Sequence, residues 1–381
     1  MKELFFISKD ARWQKYRNDV LTALALKHNY SITILTNGPV ESFLRDSPLV
    51  RYKIFSSWLP DSWKISFFPG ALLYTIRKKP SCVLAISNSS QLTEYLGLLL
   101  CKIFSLRFVF WTHAYDHGSR PNGFFLKFFD SIRVRYMESC LRMADRIITF
   151  SEKGKHYLVS RKIKNESAIF SAPNTLDTNR LFSIKNNISQ TRAELRKEQR
   201  IPEDHFVMLF VGRIYKDKNL INALKAIEIS TNKNSKITFV IIGEGAEKQN
   251  LRSYVEKNKM INVHFKEPIL DDEESAKWFS LADVFMIPGA IGLAIVHAFV
   301  FGLPVITEIG KAHGPELQFL KDKENGFLVA ENDIPTLAEK VLFLMNNPLI
   351  LKSMSEKAKE TARKEAGIDS SIDAMNKAIA N

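Results

Sequence analysis

Short apolar runs alternate with stretches of helical period along most of this chain. In the first half, residues 4–7, 31–35, 83–86, 108–111 and 146–150 read as strands, and residues 18–27, 91–104 and 126–144 as helices. Strand–helix alternation at this spacing predicts a parallel sheet flanked by helices.

The second half repeats the pattern more cleanly, its strands reading as the continuous apolar runs of buried parallel strands. Strands are expected at 206–211, 236–242, 263–265, 284–287 and 304–307, with helices at 220–229, 247–257, 273–281 and 294–301. Gly212 and Gly243 close the first two of these strands. Pro173, Asn174 and Asp177 mark turns, so a domain boundary is placed within 172–187. The expected division is 1–175, 176–365 and a final amphipathic helix at 366–381 packing back on the first domain. The fold class is α/β, with two Rossmann-like domains facing across a central cleft and their strand C-termini turned toward it.

Composition narrows the class. With 381 residues, 45% hydrophobic and 25% charged, the chain is neither disordered, collagenous nor a small disulfide scaffold. The net charge of +13 is lodged in one half: residues 1–180 hold 27 basic against 14 acidic side chains, and the remainder balances at 27 each. A basic field of this kind attracts phosphorylated substrates, anionic lipid headgroups or nucleic acid. No nucleic-acid module is recognisable, so nucleic acid is not expected as a partner. Cys82, Cys101 and Cys140 lack metal-site or disulfide spacing, in keeping with a reducing cytoplasm. The longest apolar stretch, 95–104, is interrupted by Lys102 and is too short to cross a bilayer.

Two segments carry chemistry. In 210–219 a strand ends at Gly212, and Arg213 and Lys218 follow before a helix. A guanidinium fork and an ammonium at a strand end suit a diphosphate; two solvated basic residues in a βα loop are the simpler alternative. In 286–305 a strand enters Gly289, Ala290, Ile291, Gly292 and Leu293, and a helix opens at Ala294 with His297 in its first turns. Small residues admit a ligand to the backbone, and the helix start offers N–H groups to a phosphate. A glycine-rich turn holding a structural histidine is the simpler alternative.

Taken together and in order, these segments resemble the retaining nucleotide-sugar glycosyltransferases of family 4, of the GT-B fold. The resemblance runs over most of 140–335. It is carried by Ala144-Asp145 before Phe150-Ser151, residues 172–177, Gly212-Arg213 with Lys218, residues 242–245, Leu281-Ala282-Asp283, Gly302-Leu303-Pro304-Val305 and Glu324-Asn325-Gly326. It implies that Arg213 and Lys218 bind the donor diphosphate and serve catalysis. It further implies that Gly212, Gly289, Ile291, Gly292, Leu293, Ala294, His297 and Glu316 form the donor site, and that no metal cofactor is needed. N-capping chemistry is the alternative account of Glu316.

The chain departs from the family at two positions. Where the family carries a pair of glutamates around this loop, the first touching the sugar and the second the ribose, this chain has Gly289 and His297. An imidazole can bond a ribose hydroxyl; Gly289 brings no side chain. A third cluster, His113, Asp116 and His117, follows the strand at 108–111. His113 matches a residue beside donor sugar and acceptor hydroxyl in similar enzymes. Asp116, His117 and Asn174 are acceptor-side candidates, against a reading as structural turns. Lys9 to Trp13 lacks a dinucleotide fingerprint. Segments 58–79 and 124–136 mix aromatic and basic residues, as a membrane-facing surface does.

The expected activity is transfer of a sugar (hexosyl type) from a nucleotide-diphosphate donor to a glycan or polyprenyl-linked acceptor with retained configuration, in bacterial O-antigen or capsule synthesis. The expected location is the cytoplasmic face of the membrane. The alternatives are another GT-B enzyme such as a nucleotide-sugar epimerase, or a non-catalytic nucleotide-sugar-binding subunit.

Overall fold

The computed structural model describes residues 1–9, 15–38, 40, 48–59, 66–87, 92–114, 124–310 and 313–380. The chain divides into two compact units, Met1–Asn174 with Ile368–Asn381, and Thr175–Gly367.

The first unit runs β1 (Lys2–Ile7), α1 (Lys15–His28), β2 (Tyr30–Thr36), β3 (Val50–Ile54), α2 (Pro69–Lys78), β4 (Cys82–Ile86), α3 (Leu92–Ile103), β5 (Phe108–Thr112), α4 (Phe124–Met143), β6 (Arg146–Thr149), α5 (Glu152–Ser160) and β7 (Ile169–Ser171). Among the described residues its strands form a parallel sheet in the order β3-β2-β1-β4-β5-β6-β7. Successive side chains of a strand point to opposite faces, so each apolar run feeds two cores. Leu4, Phe6, Leu84 and Val109 join Leu21 and Leu24 of α1 on one face. Phe5, Ile7, Val83 and Phe110 join Tyr95 and Leu98 of α3 and Leu141 of α4 on the other.

The second unit runs α6 (Thr178–Asn187), α7 (Arg192–Glu198), β8 (Phe206–Val211), α8 (Leu220–Lys233), β9 (Ile237–Ile242), α9 (Lys248–Lys257), β10 (Val263–Lys266), α10 (Asp272–Leu281), β11 (Val284–Met286), α11 (Ala294–Phe301), β12 (Val305–Glu308), β13 (Gly326–Val329), α12 (Ile334–Asn346) and α13 (Pro348–Lys364). Its described strands are parallel in the order β10-β9-β8-β11-β12-β13. Strand order reverses between β8 and β11, the position at which open α/β sheets receive ligands. At the opposite, N-terminal ends of these two strands, buried Arg196 ties the unit together. It donates to Asp283 at 2.7 Å and to the carbonyls of Leu281, Glu203 and His205, while the same Asp283 oxygen accepts the Val207 N–H.

The last helix, α14 (Ile368–Ala380), belongs to the first unit. Ile368, Ile372, Met375 and Ile379 recur at helical spacing and enter the core beside α1. Polar bonds fix its register: Lys27 reaches Asp369 and Asp373 at 2.9 and 3.0 Å, and Tyr30 Oη donates to Asn376 at 2.7 Å. Arg107 donates to the Ile379 carbonyl at 2.8 Å, serving one of the acceptors every helix end leaves open.

The structure differs from the sequence pattern at the sheet margins. β3, β7 and β13 are edge strands. Val-Arg-Tyr-Lys-Ile in β3 alternates charge with apolar residues, as an edge facing water does. Residues 178–187, within the stretch expected to be a boundary, form α6. Asp177, expected to mark a turn, is its N-cap, the carboxylate accepting the Arg180 N–H.

Candidate active site

β8 and β11 are neighbours, with Met208 opposite Val284 and Leu209 opposite Phe285. The loops leaving their C-terminal ends therefore meet, and hydrogen bonds join them. Gly289 N–H donates to the Lys218 carbonyl at 2.9 Å, and Ala290 N–H to the Asp217 carbonyl at 2.7 Å. Lys218 Nζ returns the connection by donating to the Ala290 carbonyl at 2.6 Å.

This packing explains Gly289. A Cβ there would lie 2.0 Å from the Asp217 oxygen and 2.6 Å from the Lys218 carbonyl carbon. The position at which the resembled family carries its first glutamate has no room for any side chain on this backbone. Gly292 is the opposite case: among the described residues, no atom beyond its chain neighbours lies within 4 Å of where its Cβ would be. Leu293 precedes α11 and gives it no side-chain cap. Backbone carbonyls serve the first turn instead: the Ile295 N–H donates to the Gly292 carbonyl at 3.2 Å and the Val296 N–H to that of Leu293 at 3.0 Å, so what the helix start offers an anion is chiefly the positive end of its dipole.

Arg213 is exposed, its guanidinium 5.4 Å from the Tyr215 ring centre. The Lys218 side chain is mostly buried, and burial pushes its ammonium below the usual lysine range. Asp217 at 3.7 Å offsets part of this, and the neighbouring Arg213 charge adds to it. An ammonium has three donors, so the bond to Ala290 leaves capacity for an anion.

Beneath the loop lies a polar floor that the sequence pattern did not single out. Glu308 is buried at the end of β12; its carboxylate accepts from Asn219 at 3.0 Å, Asn222 at 2.8 Å and the Asn332 N–H at 3.2 Å. The Glu308 N–H donates to the Pro288 carbonyl at 3.0 Å. His313, also buried, accepts the Ile291 N–H on Nδ1 at 3.2 Å, and its Nε2 lies 2.7 Å from the Glu308 carbonyl. Gly314 N–H donates to the Ile291 carbonyl at 2.8 Å. The available signal was a carboxylate ending the strand Val-Ile-Thr-Glu.

The other donor-site candidates also take definite places. Ile291 is buried, while Leu293 and Ala294 are partly buried against the core of the second unit. Gly212 follows β8 and donates its N–H to the Ile242 carbonyl at 3.0 Å. The His297 ring stacks on Phe279 of α10 at 4.1 Å and lies 5.6 Å from Phe301. Glu316 is buried with its carboxylate folded against Gly314; Gly314 and not Glu316 occupies the cap of the 3-10 turn Pro315–Phe319.

In the first unit, His113 is exposed just past β5, its ring 4.4 Å from that of Phe150. Asn174 is buried at the end of this unit's main segment. Asp116 and His117 lie outside the described residues, as do Trp63 and Lys64 of the basic-aromatic segment. Trp58 is 73% exposed, and α3 and α4 turn Ile103, Ile132, Tyr136 and Met143 outward beside Arg135 and Arg142. Among the described residues, no helix is long and apolar enough to cross a membrane, and no three His, Cys, Asp or Glu side chains gather as metal ligands.

Residues 191–365 match the family Glycosyl transferases group 1. An uncharacterized glycosyltransferase of Haemophilus influenzae is 23% identical over 352 residues, covering 90% of this chain and 88% of that protein. The capsular polysaccharide biosynthesis glycosyltransferase CapM of Staphylococcus aureus is 24% identical over 230 residues, covering 57% of this chain and 56% of CapM. The crystal structure of HepE from Anabaena in complex with UDP aligns over the whole of both chains, with a TM-score of 0.77 and 15% identity. The fold is thus GT-B-like, α/β with two Rossmann-like domains, and the matches support a glycosyltransferase.

Proposed function

We propose that this protein transfers a sugar, hexosyl in type, from a nucleoside diphosphate to a glycan or polyprenyl-linked acceptor with retention of anomeric configuration. The work is assigned to bacterial surface-polysaccharide synthesis, and CapM's role in capsule synthesis supports that assignment. The observation that carries the reading is the junction at Lys218. Its ammonium and its backbone carbonyl both bind the Gly289–Ala290 segment, bringing a cation and the start of α11 to one switch point.

In the proposed reaction the bond between the anomeric carbon and the diphosphate oxygen breaks. Arg213, Lys218 and the positive end of the α11 dipole hold the charge that gathers on the leaving phosphate. The acceptor oxygen bonds to the anomeric carbon on the face just vacated, and its proton passes to the leaving phosphate. The charge stabilisation is assigned to protein groups without a metal. His113 in the first unit and Asn174 are assigned to the acceptor side. His297 and Glu316 are assigned to the donor side.

The basic excess of the first half and the outward apolar residues of α3 and α4 support peripheral binding to the anionic inner face of the cell membrane. The test of the activity is a panel of nucleotide sugars scored by thermal stabilisation, followed by product mapping with the best binder. A retained linkage is the expected product. An inverted linkage overturns the mechanism, and turnover without an acceptor overturns transfer.

A further inference from the structure

The loop 288–293 is held from two sides. On one side are the 217–218 backbone and the Lys218 ammonium. On the other is His313, some twenty residues further along the chain. Its two ring nitrogens make two different bonds. Nδ1 receives the Ile291 N–H, so it carries a lone pair and no proton. The ring's single proton is therefore on Nε2, which donates to the Glu308 carbonyl at 2.7 Å. That carbonyl is itself immobilised, because the Glu308 side chain is bonded to Asn219, Asn222 and the Asn332 N–H.

We infer that His313 is a positioning residue that, only in its neutral form, holds the donor-phosphate loop in its binding shape by accepting the Ile291 N–H. The inference rests on the reading that this loop meets the donor diphosphate.

Protonation places an N–H on Nδ1 directly opposite the Ile291 N–H and breaks the contact. The charged groups around the ring act in opposite senses. Burial resists protonation, and Lys218 from the turn after β8 adds to that resistance. Glu308 at the end of β12, through its carbonyl and its carboxylate, favours protonation. Glu316, a further acid on this side, is buried against the adjacent Gly314. The ring therefore stays neutral through the physiological range, and the loop loosens only in acid.

Asparagine and glutamine separate the two bonds. The Asn amide reaches the Nδ1 position and can accept from Ile291, whereas the Gln amide reaches the Nε2 position and can bond Glu308. Amide hydrogen exchange at Ile291, corrected for intrinsic rates, reads the pin without any ligand. UDP, GDP and ADP binding reads its consequence. His313→Asn is expected to keep Ile291 protection and the affinity for the preferred diphosphate within about threefold. His313→Gln is expected to lose about tenfold in both, the scale of a forfeited buried hydrogen bond. Wild-type protein should lose Ile291 protection as pH falls below the ordinary histidine range, and His313→Asn should not. Equal behaviour of the Asn and Gln variants overturns the inference, as does pH-independent protection in the wild type, which needs no variant to fold. Failure of all three diphosphates to bind wild-type protein defeats the donor reading instead, and leaves the exchange data to decide the pin.

Discussion

Lys218 donates its ammonium to the carbonyl of Ala290, 2.6 Å away and on a different βα loop. The side chain expected to meet a diphosphate is thereby positioned before any ligand arrives. Lys218→Ala removes both the charge and the brace, and Arg213→Ala removes an exposed charge alone. Each should lower turnover by about 2–4 kcal/mol of transition-state stabilisation. Only the Lys218 change should also raise hydrogen exchange at Gly289 and Ala290. Unchanged turnover in both variants removes the clamp assignment.

Gly289 cannot accept a side chain without moving the 217–218 backbone. Introducing by Gly289→Glu the glutamate that the resembled family carries should therefore reduce donor binding, and Gly289→Ala should do the same with less volume. Overpacking at such a contact costs about 1–3 kcal/mol. Nucleotide binding to both variants checks this, and a gain of activity in Gly289→Glu would show that the loop adapts.

Asp283 faces Arg196, whose side chain is 7% exposed. Arg192 shares the same carboxylate at 2.9 Å. Asp283→Ala leaves a buried guanidinium without its counter-ion, a loss of about 3–5 kcal/mol. Denaturant unfolding should show that loss, with Arg192→Ala costing much less.

Lys185 supplies a pH dependence. Burial pushes its ammonium down to about 8, and the nearby Lys359 and Arg363 charges add to the effect. In the unfolded chain it returns to the ordinary 10.5. Between these values the unfolded state binds more protons, so this group's contribution to stability rises with pH. Below about 8 both states are protonated and the burial cost is present in full. Lys185→Met should therefore raise Tm at pH 7 more than at pH 10. An equal shift at both would place the lysine in a solvated setting.

On the first unit, Arg135 and Arg142 flank outward Ile132, Tyr136 and Met143 on α4. Binding of the full chain to anionic vesicles should weaken with salt. The pair Arg135→Glu with Arg142→Glu should weaken it further at constant fold, as circular dichroism would verify. Salt-independent binding, or none, separates the charge from membranes.

Local pattern was enough for the interior of each sheet. Phe206–Val211 and Val284–Met286 are apolar throughout because both faces of their sheet are covered, and α11 runs from Ala294 to Phe301 between a glycine-rich loop and Gly302. The sequence by itself thus determined two parallel α/β halves, the cations after one strand and the small residues after another. Edge strands such as β3 escaped it, since water on an open edge permits the charged residues that hide the pattern.

Only the tertiary structure decided which loops meet. The pairing of β8 with β11 joins residues more than seventy positions apart, and strand order of that range leaves no local periodicity. That pairing puts the Asp217 carbonyl where a side chain at 289 would have to be. It also makes Glu308 and His313, unremarkable in sequence, the floor under the loop. Their roles come from hydrogen bonds across elements, whose partners are set by geometry and not by neighbours along the chain.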